Sequence, residues 1–139
     1  MIKFQNLTKI YDTQAGKIVA LSNVNLEIAK GELVSIVGKS GAGKSTLVKL
    51  FTREEKPSKG GIFFNDINIC ELKGKKLQEM RRKIGVVHQD YKLLCDKNVE
   101  ENLYYIMQVV GVGDEAIAKD VKKVLEIVGI ENILRAASE

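Results

Sequence analysis

Nine consecutive residues hold the most specific chemistry in the chain: Gly38-Lys39-Ser40-Gly41-Ala42-Gly43-Lys44-Ser45-Thr46. They satisfy GxxxxGK[ST], a spacing built to grip a polyphosphate. The glycines let the backbone curl until several N–H groups converge on one anion. A helix that starts at the loop aims its positive end at the same point. Lys44 adds a full charge for the β- and γ-phosphates, and the Ser45 hydroxyl is a hard oxygen suited to Mg²⁺. Four fixed positions match by chance in about 0.5% of chains of this length. A glycine turn that merely caps a helix is the rival reading, and the flanking elements disfavour it. The loop is expected to bind a nucleoside triphosphate.

Those elements must be a strand before the loop and a helix after it. Leu33, Val34, Ile36 and Val37 form an apolar run broken only by Ser35, which reads as a strand buried on both faces. Leu47, Leu50 and Phe51 then recur at helical spacing. Upstream, Ile2 and Phe4, and later Val24, Leu26 and Ile28, alternate with polar neighbours, the mark of half-buried antiparallel sheet. Asp12 to Gly16 supplies the turn. Downstream, Ile62 to Phe64 reads as a short strand, Leu77 and Met80 as a brief basic helix, and Ile84 to Val87 as another strand. Asn98 with Glu101 forms a capping-box start for one amphipathic helix, and Asp114 opens a second that Gly129 caps.

Composition narrows the class. The chain has 139 residues, 45% hydrophobic and 29% charged, with one proline, so one ordinary globular domain is expected and disorder is excluded. No uncharged stretch reaches the ~20 apolar residues of a membrane span, and no secretion leader is apparent. The chain is expected to remain where it is made. The net charge of +4 could suit nucleic acid, but its densest basic stretch, Lys73 to Lys83, reads as a solvated helix face, and no nucleic-acid partner is expected. Cys70 and Cys95 lie far apart without a CxxC spacing, which disfavours zinc and redox motifs.

The segment GKSGAGKSTLVKL, preceded by antiparallel sheet, resembles the nucleotide-binding domain of ABC-type ATPases. Ile84-Gly-Val-Val-His-Gln89-Asp is similar to their Q-loop, and Tyr11 stands where they keep an aromatic residue. That resemblance implies an α/β P-loop NTPase fold, of which residues 1–139 are the N-terminal part: an antiparallel β-subdomain, the front of a RecA-like core and the first helices of an α-subdomain. It implies ATP and Mg²⁺ as ligands, Tyr11 stacking on adenine, and residues 38–46 around the phosphates. Lys44 and Gln89 would be catalytic, with Ser45 and Gln89 near the metal. The only histidine, His88, reads as packing beside the loop. MIKFQNLTKIYD, TREEKPSKGGIFFN and HQDYKLL further resemble the FtsE family of bacterial cell-division ATPases. This implies an FtsX-like integral membrane partner, a nucleotide-sandwich dimer in the full-length form, and a cytoplasmic location on the inner face of the membrane.

An LSGGQ-type signature, a Walker B strand and a switch histidine do not occur in these residues. Val109 to Glu115 only superficially resembles Walker B, because its two glycines between amphipathic helices suit a loop and helix cap. The chain alone is therefore expected to bind ATP without hydrolysing it. The alternatives are an ATPase of another small ABC transporter, of importer or lipoprotein-release type, and a non-hydrolysing nucleotide sensor.

Overall fold

The alternating residues near the start form a long hairpin: β1 (Ile2–Thr13) pairs antiparallel with β2 (Gly16–Ile28), and Thr13 faces Gly16 across the turn. The computed structural model describes residues 1–130, in two compact units, Met1–Gly85 and the segment from Val86 onward. In the first unit, β3 (Lys59–Phe64) pairs with β1, and β4 (Ile67–Asn68) pairs with β3, giving an antiparallel sheet of order β2-β1-β3-β4. Helix α1 (Lys44–Phe51) follows the glycine loop as its apolar spacing requires. Leu47 and Leu50 join Phe4, Leu7, Ile62, Ile69 and Met80 in one core. Phe51 meets Phe4 and Phe64 edge-on at ring separations of 6.4 and 5.7 Å. Each fully buried leucine or isoleucine in this cluster contributes about 1.5–3 kcal/mol.

The register of the hairpin is not uniform. Lys9 faces Leu21 but Ile10 faces Val19, so Ala20 is an extra residue on β2. β1 carries an irregularity of its own: Phe4 faces Leu26 but Leu7 faces Val24, Asn6 lies between them at φ 47°, and Phe4 and Leu7, three residues apart, are both buried.

Two arginines tie the end of α1 to the rest of the unit. The buried Arg53 donates from Nε to the Ile69 carbonyl at 2.9 Å and from Nη2 to that of Cys70 at 3.1 Å. Arg81, at the end of α2 (Gly74–Arg81), donates to the carbonyls of Thr52 and Arg53 at 3.0 and 2.9 Å. The basic helix is thus only partly a solvated face: Lys75, Lys76, Arg82 and Lys83 are exposed, while Arg81 has a structural task.

The two strands expected at Leu33–Val37 and Ile84–Val87 do not form. Both stretches are irregular, and Leu33, Val37 and Val87 are 95%, 92% and 94% exposed. A continuous apolar run becomes a strand only when a neighbour accepts its ladder, and neither run has a paired strand among the described residues.

The second unit contains α3 (Val99–Val109) and α4 (Asp114–Val128). The capping box forms as read: Asn98 Oδ1 accepts from the Glu101 N–H at 2.8 Å, and Glu101 Oε2 accepts from the Asn98 N–H at 2.9 Å. Gly129 ends α4 at φ 71°. Ile117, Val121 and Leu125 are buried beneath Leu103, Tyr104, Met107 and Val112. The Asp114 carboxylate, by hydrogen bonding first and then with burial and its own charge, holds the Tyr104 phenol above its ordinary pKa. Replacing Asn98 with alanine is expected to cost about 1 kcal/mol, read as a fall in the urea midpoint of the unit containing α3. An unchanged midpoint would show that the box contributes nothing.

Candidate functional site

The glycine loop enters α1 through two left-handed residues, Gly41 at φ 79° and Gly43 at φ 86°. Gly43 is the N-cap and lies against the hairpin: a Cβ there would come within 2.5 Å of the Ala20 carbonyl oxygen and 2.7 Å of Leu21 Cδ2. Only glycine accommodates both the conformation and the contact. The bulged stretch of β2 therefore forms the wall on which the loop rests.

The Lys44 side chain folds back over this loop, and its Nζ donates to the carbonyls of Gly38 at 2.6 Å and Lys39 at 2.7 Å. The Ala42 N–H is used internally, donating to the Lys39 carbonyl at 3.1 Å. Among the described residues, the N–H groups of Gly41, Gly43, Lys44, Ser45 and Thr46 have no acceptor. No acidic residue occupies the first turn of α1 to compete for its positive end. These unpaired donors, with the ammonium beside them, have the donor chemistry of an anion nest, and a polyphosphate fits it. Ser45 is exposed and offers its hydroxyl at the same turn. Such an oxygen suits Mg²⁺, which takes few protein ligands and keeps water and phosphate oxygens for the rest. Lys39 and Ser40 are exposed on the loop, and Thr46 is partly covered on α1.

Tyr11 lies near the turn end of β1, opposite Ile18 and half-buried. It shares a face with Lys9, two residues earlier on the strand. Lys9 in turn faces Leu21, the residue against which Gly43 packs, so Tyr11 projects from the loop-bearing face of the hairpin. Lys9 Nζ sits 4.7 Å from the centre of the Tyr11 ring. That ammonium is anchored by Glu55 Oε2 at 2.8 Å and the Lys56 carbonyl at 2.9 Å. Sequence reading missed the arrangement. The spacing of Lys9 and Tyr11 was a signal for it, but nothing local points to Glu55. Gln89 belongs to the second unit, in an exposed turn after Val87, and the loop residues and Tyr11 belong to the first. His88 is partly covered.

Comparison with known proteins decides the family. The ABC transporter family model matches residues 21–138. The chain belongs to that family. A methionine import ATP-binding protein, MetN 2 of Bacillus thuringiensis subsp. konkukian, is 38% identical over 131 residues. MetN of Helicobacter pylori is 39% identical over 132 residues. The alignments take in 94% and 95% of the chain but only 38% and 39% of those relatives, so the chain spans about two-fifths of their length. Among solved structures, the ATP-binding cassette MJ0796, in a dimeric post-hydrolysis state with ADP and Pi, superposes with a TM-score of 0.85 at 33% identity. The match covers 96% of this chain and 60% of that one. The cbiO1 subunit of a Clostridium perfringens ABC transporter complex gives 0.77 at 31% identity, covering 96% and 52%. The fold is accordingly the N-terminal part of an ABC-type P-loop NTPase domain, with antiparallel sheet and helices. The shared family is what these relatives support, and not FtsE in particular: the two curated relatives named above are methionine import ATP-binding proteins. Among the described residues, no helix of this ABC chain is long and apolar enough to cross a membrane.

Proposed function

We propose that the chain is the nucleotide-gripping front of the ATPase subunit of an ABC importer, and that the protein containing it couples ATP binding and hydrolysis to solute uptake through a membrane permease. The observation that carries this reading is the cluster of unpaired N–H groups at Gly41 and Gly43–Thr46 beside Lys44. In this reading Lys44 exchanges the carbonyls of Gly38 and Lys39 for phosphate oxygens, and the loop amides bind the remaining charge without rearranging α1. Ser45 would hold Mg²⁺, a role the family resemblance also gives to Gln89, and the ion would supply positive charge to offset that developing on the γ-phosphoryl group. Tyr11 supplies a flat surface for adenine. Hydrolysis requires groups outside these residues, so the chain by itself binds ATP and turns over none. The intact protein works as a dimer at the inner face of the membrane.

The import ATPases among its relatives support an importer over the cell-division role with an FtsX-like partner, and they make methionine or a similar amino acid the first solute to try. Uptake of labelled methionine by cells lacking the gene is the test. A large drop restored by the wild-type gene, but not by one encoding Lys44→Ala, is expected. Normal uptake with a division defect and co-purification of an FtsX-like protein would overturn the importer in favour of that partner.

A further inference from the structure

We propose that Lys9 is a positioning residue for nucleotide binding: its anchored ammonium fixes the Tyr11 ring and leaves one face of that ring for the base. The inference rests on the reading of Tyr11 as the base-stacking residue and goes beyond it. Lys9 Nζ lies 4.7 Å from the ring centre and is itself held at two points, by Glu55 Oε2 at 2.8 Å and the Lys56 carbonyl at 2.9 Å. Its side chain is only 12% exposed, so the ammonium cannot swing freely into water. An ammonium at this distance is attracted by the negative face of the ring and resists its rotation. Because that face is occupied, a planar group can stack only on the opposite one.

The anchor also ties the site to α1. Glu55 and Lys56 follow that helix, whose first turn carries the phosphate loop, while Tyr11 and Lys9 belong to β1. The Lys9–Glu55 bridge thus connects the strand that presents the aromatic ring to the element that presents the phosphate donors. A base and its polyphosphate tail are joined through a ribose that bounds their separation, so holding the two protein elements at a fixed spacing in advance lowers the ordering cost of binding.

The test uses the intact protein in which this chain occurs and two probes, ATP and inorganic tripolyphosphate, titrated by calorimetry. Lys9→Met keeps the aliphatic stem and removes the charge. It is expected to weaken ATP about three- to tenfold and leave tripolyphosphate unchanged, with Lys9→Arg recovering most of the loss. Tyr11→Leu is expected to weaken ATP selectively, and adding Lys9→Met to it should then change nothing further. If Tyr11→Leu weakens ATP but Lys9→Met does not, Lys9 has no positioning role and the reading of Tyr11 stands. If Tyr11→Leu leaves ATP binding intact, both fail. If Lys9→Met weakens ATP and tripolyphosphate equally, Lys9 acts through general stability and the proposal is overturned.

Discussion

Alanine at position 43 is expected to destabilise the first unit by about 2–5 kcal/mol and to remove measurable ATP binding together with it. Two costs combine. Holding a residue with a Cβ in the left-handed region costs about 1–2 kcal/mol. Forcing that Cβ to 2.5 Å from the Ala20 carbonyl and 2.7 Å from Leu21 adds overpacking of about 1–3 kcal/mol. The Ala20 carbonyl is backbone and has to move with β2, whereas the Leu21 tip can shift only against the core it partly packs on. Gly41 provides the comparison. It has a similar φ of 79°, but a Cβ there meets nothing within 4 Å, so Gly41→Ala should incur the conformational cost alone. Urea unfolding of both variants reads the difference. Equal midpoints would mean that the loop does not rest on β2.

Lys44→Ala should weaken ATP about ten- to a hundredfold while leaving the fold intact. Charge-assisted hydrogen bonds contribute about 1.5–3 kcal/mol each, and 1.4 kcal/mol corresponds to a factor of ten. The side chain is only partly covered, and its present partners, the Gly38 and Lys39 carbonyls, lie on exposed residues that water can satisfy. Stability should therefore move little. Calorimetry with ATP, with unfolding measured in parallel, checks both halves. Undiminished affinity would remove Lys44 from the binding reaction, and with it the main support for the proposed function.

Local signals were reliable wherever the physics was local. The turn before Gly16, the helix after the glycine loop, the reciprocal cap between Asn98 and Glu101 and the stop at Gly129 all depend on a few adjacent residues, and each forms as its residue types require. Partnership across the chain was less legible. The Leu33–Val37 run has the composition of a doubly buried strand, but composition cannot provide the neighbour that would make it one. The same holds for Ile84–Val87. The short turn at Ile69–Glu71, which Asn68 caps through the Cys70 N–H, carries too little periodicity to be seen. At the candidate site, the glycine spacing disclosed the phosphate loop directly. The anchor of Lys9 did not emerge, because Glu55 lies 46 residues away and no pattern links the two.

The segment Leu33-Val34-Ser35-Ile36-Val37 has a further consequence for handling this protein. It is short, uncharged and free of proline, Val34, Ile36 and Val37 are β-branched, and Leu33 and Val37 are almost wholly open to solvent, properties that favour cross-β stacking between copies. Glu32 before it and Lys39 beyond Gly38 flank the run with charge, which in a parallel in-register stack would set like charges against each other. Neutralising both is expected to raise thioflavin-positive fibril formation on mild warming relative to the unaltered chain.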